Sequence, residues 1–113
     1  MTSAATDART IDAEHQVQIQ LLNELRRVLR DGGDAAELRE RLTDYCRAHF
    51  MSEELLMRLH AYPDYDDHVA DHEQMLDALD GLTGAQEVDA LAAFLLRHIG
   101  GRDAKLHGYL ERV

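Results

Sequence analysis

Apolar residues recur along this chain in steps of three and four, the rhythm that keeps one face of a helix against a core. Four stretches carry it. The turn-forming runs Asp31-Gly32-Gly33, Tyr62-Pro63 and Gly81-Leu82-Thr83-Gly84 separate them. Helices are therefore expected from about Ile11 to Arg30, Ala35 to His60, Tyr65 to Asp80 and Ala85 to Ile99. Thr10 and Asp34 stand where the first two helices want N-caps. Strand-like alternation is nowhere sustained. Amphipathic helices joined by short turns predict an all-α fold, an up-down-up-down four-helix bundle. Residues 1–10 are small and polar and read as a flexible N-terminal arm, with one domain over residues 11–113.

Each helix has a seam of inward positions. The first runs Ile11, His15, Gln18, Leu22, Leu25, Leu29, and the second Leu38, Leu42, Tyr45, His49, Glu53, Leu56. The third is Tyr65, His68, His72, Met75, Leu79, and the fourth Val88, Leu91, Leu95, His98. Every seam is apolar except where it carries His, Glu or Gln. A buried ionisable group is costly unless it is paired or bound to a metal. One core histidine would be unremarkable, but five histidines and a glutamate on four core faces need a common partner.

The spacings say what kind. His49 and Glu53 are four residues apart, as are His68 and His72, so each pair shares a helix face. Asp103 follows His98 by five, which on an ideal helix turns it roughly 140° away. Gly100-Gly101 lies between them and would let the backbone break and the carboxylate swing back inward. Five imidazoles and two carboxylates are too many donors for one tetrahedral zinc. They suit two ions about 3.5 Å apart, bridged by carboxylates, and the mixed donor set shifts the balance toward ions such as iron and manganese. The Glu-rich ferritin-like pattern is disfavoured, because no Glu-x-x-His occurs.

Composition narrows the rest. At 113 residues and 45% apolar, the chain fits a single globular domain. A formal charge of −10 argues against nucleic acid and against an anionic membrane surface. No apolar run approaches the ~20 residues of a membrane span, and the first residues lack the apolar core of a secretory signal. Cys46 is the one cysteine, so no internal disulfide forms, and it reads as a small buried thiol. The cytoplasm is the expected compartment and a monomer the expected state.

Four stretches now carry a resemblance: Ile11-Asp12-Ala13-Glu14-His15 with Asn23, HFMSEELLM from His49, YPDYDDHVADH ending at His72, and HIGGRD from His98. Together and in this order they resemble hemerythrins, especially bacterial ones, over Ile11 to about Tyr109. The resemblance implies a di-iron site in the bundle core. His68, His72 and His98 would ligate one iron, and His15 and His49 the other. Glu53 and Asp103 would bridge them with an oxo or hydroxo group. Two histidines and the shared bridges leave one vacancy on the second iron, where O2 would bind reversibly. The implied role is oxygen storage, delivery or scavenging rather than enzymatic turnover. An enzyme decomposing peroxide or nitric oxide is the first alternative. An O2 or redox sensor acting through a partner is the second.

Around the vacancy, Phe50, Phe94, Leu95 and Ile99 match apolar positions of the family's O2 pocket, while Gln18, Met75 and Leu106 depart from it. Gln18 is the sharpest departure, since its amide would donate a hydrogen bond to bound oxygen or hold a water. His60 and His107 match no ligand position and read as surface histidines. Glu54 resembles a frequent family residue, and a solvated helix-face acid explains it equally well. Asp12 would orient His15 or favour the helix N-terminus. Met51 and Met57 are expected to pack.

Overall fold

The computed structural model describes residues 4–82 and 84–112, with side chains from residue 13 onward. It is helical throughout: α1 (Ala4–Arg30), α2 (Ala36–Leu59), α3 (Tyr65–Asp80), α4 (Ala85–His98), a π turn (Ile99–Asp103) and α5 (Ala104–Arg112). His98, Ile99 and Ala104 all keep right-handed helical dihedrals, so α4, the π turn and α5 form one rod. Connections of four or five residues fold neighbouring rods antiparallel. α1 packs on α2 and α4, α3 packs on α2 and α4, and α5 packs on α1. The result is the expected up-down-up-down bundle, 47 × 25 × 19 Å.

The seams form two apolar clusters. The larger holds Leu22, Leu25, Leu42, Cys46, Phe50, Met75, Leu79, Val88, Leu91 and Leu95. The smaller holds Leu56, Met57, Tyr62, Leu106 and Leu110. Along α2, His49 and Glu53 fall between Cys46 above and Leu56 below. Along the last rod, His98 and Asp103 fall between Leu95 and Leu106. The polar seam residues therefore make one layer with an apolar cluster on either side.

Several details differ from the periodicity. α1 begins at Ala4, so Thr10 lies within a helix and does not cap one. Residues 1–3 of the expected arm and the side chains of residues 4–12 lie outside the described residues, and with them any orienting role of Asp12, while residues 4–10 form the first turns of α1. Asp34 does accept the Ala36 N–H at 3.0 Å, although Ala35 is the residue flanking α2. In α2 it is Cys46 that is buried, with Tyr45 half-buried beside it. Met57 is fully buried, but Met51 is 63% exposed and packs on nothing in the core. Leu106 belongs to the smaller cluster, on the opposite side of the polar layer from Phe50, Met75 and Leu95.

Two helices end in the same way, and the comparison is instructive. After α1, Gly33 N–H donates to Val28 O and Gly32 N–H to Leu29 O, with Gly32 at φ 73°. After α2, Tyr62 N–H donates to Met57 O and Ala61 N–H to Arg58 O, with Ala61 at φ 51°. Both are Schellman caps, in which the left-handed residue lets the chain turn back and satisfy orphan carbonyls. Met57 and Tyr62 supply the apolar contact that accompanies the motif. Glycine adopts that conformation freely, whereas alanine is strained there. Ala61→Gly should therefore stabilise the fold by about 0.5–1 kcal/mol despite the looser unfolded chain. The check is the denaturation midpoint, and a midpoint that falls would contradict the assignment.

Candidate metal centre

Among the described residues, eight polar or charged side chains are buried: His15, Gln18, His49, Glu53, His68, His72, His98 and Asp103. Seven of these are the five histidines and two carboxylates singled out by spacing. α1 supplies His15, α2 His49 and Glu53, α3 His68 and His72, and the last rod His98 and Asp103. Their donor atoms fall into two groups, each within 4.8 Å. Glu53, His68, His72, His98 and Asp103 make one; His15, His49, Glu53 and Asp103 make the other. Both carboxylates belong to both groups.

Asp103 reaches this layer by a route the spacing does not show. The backbone neither breaks nor turns left-handed at Gly100-Gly101, and a Cβ at either glycine would meet nothing. Instead the helix widens, and Ala104 N–H donates to Ile99 O, five residues back. A π turn absorbs one extra residue per turn. The inward positions of the rod then step 88, 91, 95, 98, 103, 106, 110, and the single step of five falls where the turn widens. That step is the signal by which sequence could have located the turn.

The carboxylates are aimed at both groups. Asp103 Oδ1 lies 2.8 Å from His68 Nε2 and 3.0 Å from His98 Nε2, while its Oδ2 lies 2.9 Å from His15 Nε2. Glu53 Oε1 lies 2.9 Å from His72 Nε2, and its Oε2 faces His15 Nε2 at 4.0 Å. Yet His49, His68, His72 and His98 Nε2, both Glu53 oxygens and Asp103 Oδ1 are buried without a hydrogen-bond partner among the described residues. Close atoms that do not hydrogen-bond are aimed at a shared point instead of at each other. Two donors at right angles, each about 2.1 Å from an ion, lie about 3.0 Å apart. The residues present therefore fit metal ions.

Three other carboxylates fix the rings. His49 Nδ1 lies 3.0 Å from Glu14 Oε1, His72 Nδ1 3.0 Å from Glu54 Oε2, and His98 Nδ1 3.0 Å from Asp71 Oδ2. Each acid accepts a hydrogen bond from Nδ1–H and so turns Nε2 inward. Arg102 Nε holds Asp71 Oδ2 in turn, at 2.6 Å. Each acid adjoins a core residue in sequence but serves the next helix: Glu14 beside His15, Glu54 beside Glu53, Asp71 beside His72. One residue of offset turns a side chain about 100°, from the core toward the neighbouring rod. Because the rods alternate in direction, the offset alternates too, before, after, then before. Seam reading missed Glu14 and Asp71 and left Glu54 undecided between a family residue and a solvated acid. The corresponding position on the last rod is Ile99, which lines a cleft of about 290 Å³ together with His15, Asp103 and His107.

Charge follows from burial and neighbours. Burial would raise Asp103, but the imidazoles of His15, His68 and His98 outweigh it and hold the carboxyl well below its usual range. Burial pushes Glu53 up. His68 is pulled down by burial and more strongly up by Asp103 and Glu53, to about 9. Burial takes His72 to about 4.

The apolar surroundings expected of a ligand pocket are partly gathered here. Phe50 stacks on His72, ring centroids 4.0 Å apart. Met75, Leu95 and Phe50 are buried in the larger cluster, with half-buried Phe94 and Ile99 packed against it. Gln18 is fully buried and its Nε2 donates to Cys46 Sγ at 3.3 Å. Leu106 stands apart in the smaller cluster. Tyr62, unmarked by the seams, is buried there with its ring edge-on to His68.

The sequence profile described as "Hemerythrin HHE cation binding domain" matches residues 6–110. The chain belongs to that family. It is 27% identical over 103 residues to a myohemerythrin of Theromyzon tessulatum, covering 88% of this chain and 82% of that protein. It is 37% identical over 60 residues to a hemerythrin of Phascolopsis gouldii, covering 53% of this chain and 51% of that one. No solved structure gives a significant match. Among the described residues, no helix is long and apolar enough to cross a membrane.

Cys46, three residues before His49, gives the first test of this environment. Burial pushes its thiol up to about 11, against the lowering effect of the Gln18 hydrogen bond. The folded protein should therefore alkylate with iodoacetamide at pH 8 about 100-fold more slowly than the denatured chain, since only the thiolate reacts. Equal rates in the two states would show an open Cys46.

Proposed function

We propose that this hemerythrin-family chain holds two iron ions and binds O2 reversibly at them, serving oxygen storage, delivery or scavenging. The observation that carries the reading is the division of donors into groups of five and four that share Glu53 and Asp103. On this reading His68, His72 and His98 would hold one ion and His15 and His49 the other, with Glu53 and Asp103 shared between them. Iron bound there would supply the redox chemistry that O2 binding needs, and the four-donor side has one protein donor fewer to offer its ion.

The chain's own residues set the conditions. Glu14, Glu54 and Asp71 hold three imidazoles with Nε2 turned inward. The apolar clusters on either side of the layer exclude water, and the seven donors are at most 5% exposed. No side chain in the layer is placed as an acid or base toward a substrate, which suits binding better than turnover. The amide of Gln18 favours a second reading. A polar group beside the four-donor side is more useful to an enzyme decomposing peroxide or nitric oxide than to a dry carrier. Rapid peroxide loss with the oxidised protein would support that second reading.

The deciding experiment loads the protein with ferrous iron anaerobically, titrates O2, and measures iron on the same sample. About two iron ions per chain and an absorption band that vanishes when O2 is removed are expected. Zinc, or one iron, would overturn the proposal. Glu54→Gln should weaken iron binding by about 10- to 100-fold in chelator competition, because His72 loses its anchor. Unchanged affinity would show the contact to be incidental.

Uptake should also depend on pH. Below about 9 the metal-free protein keeps a proton on His68 that an ion must displace. Apparent iron affinity should consequently rise from pH 6 to 8, with protons released into a weakly buffered titration at pH 7. Uptake without proton release would contradict the assignment of His68 as a ligand.

A further inference from the structure

Gln18 is the one buried polar side chain, of the eight among the described residues, that the metal centre does not use. Its surroundings are specific. Gln18 lies three residues after His15 on α1, and Cys46 three residues before His49 on α2. The two helices run antiparallel, so both displacements point the same way along the bundle, by about 4.5 Å. The Gln18–Cys46 contact thus forms the layer directly above His15 and His49, whose rings are 4.8 Å apart. These are the two histidines of the four-donor group.

Within that layer the amide is half satisfied. Nε2 donates to Cys46 Sγ, while Oε1 is buried with no partner among the described residues. An amide in an apolar cluster with an open acceptor costs stability, and a leucine there would fit the seam. The thiol is the orienting group. Its proton is held to about pH 11, so at neutral pH it is an S–H that either accepts from Nε2 or donates to Oε1. A half-turn of the amide exchanges oxygen and nitrogen at nearly the same positions, and no packing need change.

We propose that Gln18, oriented by Cys46, is the hydrogen-bonding contact for a small ligand entering the His15–His49 half, and that its amide presents a different atom to different ligands. Oε1 faces a ligand that carries a proton, such as water. Nε2 faces an anion, and the thiol then donates to Oε1. One hydrogen bond to sulfur breaks and one from sulfur forms, and no proton changes owner. This rests on the reading that the four-donor side is the open one. Gln18 is a ligand contact in this scheme and Cys46 a positioning residue.

The test uses the iron-loaded, oxidised protein with azide as the anionic probe, and follows the infrared S–H stretch of Cys46. The chain has no second cysteine, so the band has one source. Azide should move it to lower frequency as the thiol turns from acceptor to donor. Gln18→Leu should abolish that movement and weaken azide binding about tenfold. Cys46→Ala should weaken azide binding less than Gln18→Leu does. In the metal-free protein Gln18→Leu should already shift the S–H band, a readout that needs no iron. Gln18→Met serves equally should the leucine variant misfold.

Iron and azide bound with an unmoved S–H band would overturn this inference alone, as would azide affinity in Gln18→Leu equal to the parent's. Iron bound but no azide taken up would overturn the open position and this inference with it. Failure to bind iron would overturn the proposed function itself.

Discussion

Seven ionisable side chains share one layer of this bundle, cut off from water. Everything else in the structure accommodates that burden. Nε2 of His49, His68, His72 and His98, both Glu53 oxygens and Asp103 Oδ1 lie buried there without a hydrogen-bond partner among the described residues. In the metal-free protein they reach an uneasy distribution of protons, with His68 charged beside Asp103 and His72 neutral. Cations at the two foci would replace those protons and give every lone pair a partner. Metal binding and folding would thereby be coupled, because the layer that a metal would stabilise is also the waist that joins all four rods.

The acids outside the layer show how the burden is spread. Glu14, Glu54 and Asp71 each stand next to a core residue but hold a histidine on the following rod. Each link therefore depends on the relative rotation of two helices, and three such links tie α1 to α2, α2 to α3 and α3 to α4. Ring orientation is set by the packing of the bundle as a whole and not by any single loop. Apolar clusters above and below give that packing its stiffness, and they also keep the layer dry.

Legibility followed from how far each feature sits from the seam. The fold was readable because four amphipathic patterns end at conspicuous breakers. The seven core donors were readable because a polar residue in an apolar seam contradicts its surroundings. Glu14, Glu54 and Asp71 were hidden because an acid about 100° from the seam looks like any solvated helix acid. Met51 misled because it is apolar and yet faces outward, and the resemblance that singled out Leu106 does not say which cluster it joins. Ala61 carries no mark of its left-handed backbone, which only the preceding cap with glycine makes intelligible. Gln18 was visible as a departure, but its donor and acceptor could be told apart only once Cys46 was seen beside it.

The π turn has a consequence for how this rod tolerates change. It holds one residue more than an α-helix needs, so the apolar face of α5 remains in phase with that of α4. Losing one residue from the glycine pair would leave an ordinary α-helix with His98 and Asp103 four apart, and Leu106 and Leu110 still inward. Gaining a residue elsewhere along the rod would swing both leucines about 100° toward solvent. The wide turn is thus a reading-frame correction written into the backbone: length can be removed there without losing register, and can be added almost nowhere else.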